Sequence, residues 1–396
     1  MARLFTSGFE LNSTTDGIEF STNSAPVSIV TTNPRSGTNH GRVNGGAGFW
    51  RQIIFTSNQT TVGYIGIAIL IHASVNANTQ LVRWSTTGNV SVGNITLKTD
   101  DTLVLLKSDG TQIGSPSSAL THDQWYYVEL KNDASTSPGT LEARLNGSVF
   151  ASGSNSNQGS WARALIGNVT GTQTTNDIYF DDWKINDSSG SNQTGYPGTG
   201  KVIIIRPDSA GDSNAWLQTA GGAGSSTNWG LVDETPPNDA TDFVNSGTLN
   251  NEDLYNMSAS GIQSYDTVNV VQIGARFRND TADATTAFKT EVIKTSGGTV
   301  SQGSAIIPNL TTWKSYQTAA TDVYVHTLYN DPDGSAWTNT TLDSMQAGVK
   351  LTASNVNKVQ VTALWVYIDY TPGTPPSSTP NKAVVIRQAI NRSNTY

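Results

Sequence analysis

Cysteine is absent from the 396 residues, so neither disulfides nor thiolate metal sites can hold the fold, and core packing must do so. Charge is scarce as well. Lys, Arg, Asp and Glu make up 14% of the chain, against roughly 25% in average soluble proteins. Ser, Thr, Asn and Gly take their place, as on an all-β, secreted-like or virion-like surface. The net charge of −8 comes without any Lys/Arg cluster, which argues against a nucleic-acid partner because phosphate binding depends on clustered cations that release counterions. Long apolar runs are missing too. The most hydrophobic window, Tyr64 to Ile71, is far shorter than the roughly 20 residues of a membrane-spanning helix and reads as a buried strand. No apolar stretch or small-residue cleavage site follows Met1 to Phe5, so no secretory signal is expected. Helical patterning is confined to Thr340 to Gln346, with Asn339 or Thr340 as a cap.

What is present is period-two alternation, the mark of strands that bury one face. In Trp125 to Lys131, Tyr126, Val128 and Leu130 share one face and Trp125, Tyr127, Glu129 and Lys131 the other. In Leu141 to Asn146 the apolar set is Leu141, Ala143 and Leu145, and Asn146-Gly147 supplies the positive-φ pair of a tight hairpin. Ser108-Asp109-Gly110 signals a second hairpin. Residues 188–200, rich in turn formers and lacking periodicity, read as a linker between an N-terminal domain (1–187) and a second β domain (201–371). A chain of this length suggests two domains. In the second, Val271, Ile273, Ala275 and Phe277 form one apolar row, and Val359, Val361, Ala363, Trp365 and Tyr367 another. Residues 372–396 combine a Pro-rich spacer with a short apolar, basic segment: Lys382, Val384, Val385, Ile386, Arg387, Ile390 and Arg392. Such an extended arm gains order only against a partner, by adding a strand to an exposed sheet edge.

Five segments occur in a fixed order: Gly8-Phe9-Glu10, Arg35-Ser36-Gly37, Trp125 to Leu130, Leu141 to Gly147, and Tyr179-Phe180-Asp181-Asp182-Trp183. This run resembles the concanavalin/laminin-G-like jelly-roll module of tailed-bacteriophage structural proteins. Asp208 to Asp212, Trp216, Asn228-Trp229 and Val232-Asp233-Glu234 extend the likeness, to roughly residue 370. The resemblance implies an all-β chain, a jelly-roll sandwich followed by a second antiparallel sandwich. It also implies a non-enzymatic virion protein of minor tail, fibre or decoration type. Such a protein is made in the bacterial host cytoplasm and joined to other virion proteins and to copies of itself. The alternative is a lectin-like adsorption module for host-surface polysaccharide; a depolymerase is the third reading.

Folds of this kind include glycosidases, which need two carboxyl groups facing one cleft. The chain lacks the E-x-D-x-x-E strand that commonly supplies them, and Glu129 and Glu142 read as solvated residues on separate strands. No nucleophile elbow or phosphate loop is present, and His40, His72, His122 and His326 show no metal-ligand spacing. No catalytic residue is therefore expected. For calcium the candidates are Asp181 and Asp182, with Asp123 and Asp177; adjacent aspartates on a strand face opposite ways, so a shared ion requires a bulge. For sugar stacking they are Trp50, Trp84 and Trp161, with packing between sheets as the competing role.

Overall fold

The computed structural model describes residues 3–24, 26–155, 160–171, 175–219, 224–315, 326–355 and 357–375. They form an all-β chain of four antiparallel sheets, and each sheet draws its strands entirely from before residue 188 or entirely from after residue 200. In the N-terminal sandwich one sheet runs Ser148–Asn155, Gly139–Leu145, Tyr126–Asp133, Val62–Ile71, Asp177–Asp187, His40–Asn44, Val27–Val30. Arg3–Ser7 pairs with the second half of Asp177–Asp187. The facing sheet runs Gln112–Ile113, Leu103–Lys107, Ser91–Leu97, Thr79–Ser85, Arg163–Asn168, Gly48–Ile53, Thr22–Ser24. Both hairpin signals hold: Asn146 and Gly147 have positive φ, as does Gly110.

The core between these sheets explains the strand sequences. Ile65, Ile67, Ile69, Val128 and Leu130 alternate inward and meet Trp50, Trp84, Trp161, Phe180 and Trp183. The Trp84 and Trp161 rings lie 4.4 Å apart. Their indole N–H groups donate to the carbonyls of Leu130 (3.3 Å) and Thr61 (3.0 Å), so neither buried donor is wasted. A Cβ on Gly63 would sit 2.7 Å from the Trp161 ring, which is why that strand position carries no side chain.

In the second sandwich, one sheet runs Leu217–Gln218, Val244–Ser246, Val359–Thr371, Thr267–Asn279, His326–Leu328, with Lys201–Ile205 also beside Val359–Thr371. The other runs Pro207–Asn214, Glu252–Met257, Gln346–Ala353, Ala287–Ile293, Val300–Gln302. Val271, Ile273, Ala275 and Phe277 face the core between them. The row read from Val359 to Tyr367 does not keep one face. Arg276 lies opposite Ala363 and Phe277 opposite Val361, which leaves Thr362 as the extra residue of a bulge. Its hydroxyl donates to the carbonyls of Asn238 and Asp242. Val359 and Val361 therefore share the core with Leu364, Val366 and Ile368, while Ala363, Trp365 and Tyr367 turn outward against Leu11, Ile18 and Val202. The one α-helix among the described residues spans Asn339–Asp343 and is capped by Thr338, one residue earlier than the sequence suggests, in a capping box with Thr341.

The linker is not a solvated spacer throughout. Ser188 to Asn192 run exposed or nearly so, but Pro197 and Gly200 are buried. Tyr196 packs beneath the Arg144 guanidinium, 3.7 Å from its ring, and donates to Glu142. The Gly198 amide donates to Glu129 at 2.9 Å. Glu129 is thus buried, a correction to its outward, solvated reading: the alternation places it on the outer face, and the linker then covers that face. Limited proteolysis of the native protein should cut within residues 188–192 and spare 196–200; early cleavage after Tyr196 would contradict this packing.

Candidate functional site

The connection from Val27–Val30 to His40–Asn44 reads Asn33-Pro34-Arg35-Ser36-Gly37-Thr38-Asn39, a turn-forming sequence that cannot hold a shape by itself. Carboxylates hold it. Glu10 accepts from the amides of Thr38 (2.9 Å) and Asn39 (3.2 Å) and from the Thr38 hydroxyl. Asp181 accepts from the amides of Arg35 (2.9 Å) and Ser36 (3.1 Å). Gly37 has φ +60°, and a Cβ there would lie 1.8 Å from a Glu10 oxygen, so glycine is required twice over.

Asp181 and Asp182 occupy a bulge where Asp177–Asp187 changes partners, from His40–Asn44 to Arg3–Ser7; Asp182 has φ 55°. The bulge lets Asp182 accept from the Ser36 hydroxyl, the Arg35 guanidinium and the Val202 amide (2.6 Å). Val202 belongs to the second sandwich. Ser36 returns the contact through its hydroxyl to the Val202 carbonyl (2.8 Å), and Arg35 donates to the carbonyls of Thr199 and Gly200.

Beside this bracket lies a buried ion cluster. Asp369 accepts from Arg3 (2.8 Å) and Lys184 (3.1 Å), and all three side chains are fully buried. Burial alone would raise the Asp369 carboxyl, but Lys184 and Arg3 hold it below the usual range. Arg3 is further fixed by Asn186 and Thr6. Glu19, also buried, accepts from the hydroxyls of Ser7 and Tyr367. Burial pushes its carboxyl up to about 7 despite those bonds. Asp182 and Asp369 meet the three cations Arg3, Arg35 and Lys184, while burial, with the nearby Glu10 carboxyl adding to it, favours the protonated form of Glu19.

On the same outer sheet face, a groove of about 230 Å³ is lined by Val30, Thr32, Asn33, His40, Arg42, Leu70, His72, Trp125 and Tyr179. His40 stands at its floor between the rings of Trp125 (5.6 Å, edge-on) and Tyr179 (5.2 Å). Burial lowers its imidazole to about 4, and Nδ1 has no hydrogen-bond partner among the described residues. At the rim His72 pairs with Asp123, and Arg42 with Asp177 at 3.0 Å.

The sequence candidates fall differently from their expected roles. Trp50, Trp84 and Trp161 are completely buried in the first core, so no sugar can stack on them. Asp181 and Asp182 do sit at a bulge, but buried and saturated by loop amides and Arg35 rather than open at a rim. Asp123 and Asp177 are each paired with a basic side chain at the groove. Among the described residues no group of three or more His, Asp or Glu converges on a cation position. Lys382, Val384, Val385, Ile386, Arg387, Ile390 and Arg392 lie outside the described residues. The sequence alone does not single out Arg3, Glu19, Lys184 and Asp369; for Asp369, the lone charge in the apolar strand Val359–Thr371, that isolation is the available signal. Nor does the sequence single out Trp125 and Tyr179, outward-facing aromatics in alternating strands.

No family model and no curated protein matches the chain. Similar solved structures include Trypanosoma rangeli sialidase in complex with the inhibitor DANA: TM-score 0.31, 12% identity, over 40% of this chain and 27% of that one. Domain 4 of AbnA, a GH43 extracellular arabinanase from Geobacillus stearothermophilus, in complex with arabinotriose, gives TM-score 0.34 and 14% identity over 47% and 92%. The receptor-binding domain of botulinum neurotoxin type G gives 0.30 and 11% over 62% and 72%. The chain spans little more than a quarter of the sialidase's length. At these TM-scores no activity, ligand or partner passes from those proteins to this one.

Two outcomes follow from the buried charges. Asp369→Asn leaves Arg3 and Lys184 without a counter-charge and should cost about 3–5 kcal/mol in denaturant unfolding; a loss below ~1 kcal/mol would show that the cluster is solvated. Glu19 binds a proton more tightly in the folded chain than in the unfolded one. Its contribution therefore declines as pH rises from about 4.5 to about 7, by up to roughly 3 kcal/mol. Glu19→Gln should remove that part of the pH dependence, and an unchanged stability–pH profile would refute the assignment.

Proposed function

We propose that this chain is a non-enzymatic structural protein of a tailed-bacteriophage particle, acting through protein–protein assembly as a minor tail, fibre or decoration component. The observation that carries this reading is the convergence of three of the segments behind the phage resemblance. Gly8-Phe9-Glu10, Arg35-Ser36-Gly37 and Asp181-Asp182 all build the bracket that clamps the two sandwiches together. Their chemistry is that of a joint. Each carboxylate is occupied by amides or an ion pair of the frame, which supports a part that transmits position rather than one that turns over a substrate. Glu129 and Glu142, the carboxylates considered for hydrolysis, are tied to Gly198 and to Tyr196 and Arg144.

In this reading the protein is made in the bacterial host cytoplasm and reaches the virion by contacts with other virion proteins and with its own copies. The C-terminal arm is assigned to those contacts on its sequence alone. Purified particles should contain the chain at a fixed copy number by quantitative mass spectrometry, and deletion of 372–396 should abolish its incorporation. Its absence from particles would end the proposal. Release of reducing ends from host polysaccharide that disappears with Glu129→Gln or Glu142→Gln would overturn the non-enzymatic part.

A further inference from the structure

We infer that the groove bounded by His40, His72, Trp125 and Tyr179 binds one neutral pyranose ring, at the end or on a branch of a surface glycan. A sugar ring carries apolar C–H faces together with hydroxyls that both donate and accept, and it needs a site offering both surfaces. Trp125, Tyr179, Leu70 and Val30 provide the first. Thr32 and Asn33, exposed polar side chains at the groove's edge, provide the second. Burial keeps the His40 imidazole neutral, so it adds no charge to the groove.

Other ligand classes fit less well. An acidic sugar or a nucleotide needs an uncommitted cation, but the basic residues lining the groove, Arg42 and His72, are already engaged by Asp177 and Asp123. Those carboxylates and the net charge of −8 repel a second anion. A peptide or a longer apolar ligand needs more room, since about 230 Å³ falls below the roughly 300–1,000 Å³ of sites for larger molecules. The site goes beyond the structural role proposed above and does not depend on it.

Saturation-transfer NMR on the full-length protein, with the methyl glycosides of glucose, galactose, mannose and N-acetylglucosamine, tests the inference; N-acetylneuraminic acid serves as the acidic probe. At least one neutral glycoside should bind with a dissociation constant on the order of 1 mM, the range a single ring can reach. Trp125→Ala should weaken that binding at least tenfold with an unchanged unfolding midpoint. Should that variant fail to fold, Tyr179→Ala and the rim change His72→Ala carry the same test. The inference fails if none of the four glycosides binds, if binding survives these substitutions, or if N-acetylneuraminic acid binds more tightly than every neutral probe.

Discussion

Asp182 is bonded at once by Ser36, by Arg35 and by the Val202 amide, and those partners come from two separate parts of the chain. A carboxylate this deeply buried is tolerated only when its oxygens are filled and its charge is met. Meeting that requirement fixes the loop of residues 33–39, the entry of the second sandwich and the path of the linker's last residues together. The neighbouring Arg3–Lys184–Asp369 cluster applies the same rule from the far side, since Asp369 belongs to the second sandwich and its two cations to the first. Burial pulls the Lys184 ammonium down, and the Asp369 carboxylate opposes that pull.

Each sandwich reaches this seam through a bulge. In Asp177–Asp187 the extra residue re-aims Asp182 toward Arg35 and Val202. In Val359–Thr371 the extra residue is Thr362, after which Ala363, Trp365, Tyr367 and Asp369 all point at the first sandwich. A regular strand buries one face and solvates the other. Both of these strands are buried on both faces, and the polar residues on their outer faces are the ones that need partners across the seam. Between the polar clusters, Leu11, Ile18, Val202, Ala363, Trp365 and Tyr367 form a small apolar core of their own.

The groove shares its strand with the bracket. Tyr179 lines the groove and Asp181, two residues on, holds the amides of Arg35 and Ser36. The loop that Asp181 and Glu10 pin also carries Asn33, whose carbonyl accepts from the Trp125 indole at 3.3 Å. The rigidity that joins the sandwiches therefore also sets the groove's aromatic wall before any ligand arrives, which is what preorganised recognition requires.

Much of the fold is written locally. Alternation in Trp125 to Lys131, in Leu141 to Asn146 and in Val271 to Phe277, the Asn146-Gly147 turn and the turn-rich stretch after Asp187 follow from the two-residue period of strands and from the backbone freedom of Gly and Asn, which depend on near neighbours alone. The outer face of a strand is different, because alternation separates its faces without saying what will cover either one. Glu129 reads as solvated until the linker lies on it, and Asp181-Asp182 read as a possible ion site until Arg35, Ser36 and Val202 arrive from distant positions. Trp50, Trp84 and Trp161 were undecided between core and surface for the same reason. The sequence by itself determined the strands, their turns and the two apolar cores, whereas the docking of one sandwich on the other decided which charges are buried. The convergence of four strands and three loops decided that His40, Trp125 and Tyr179 share a groove, since such long-range contacts have no local periodicity to announce them.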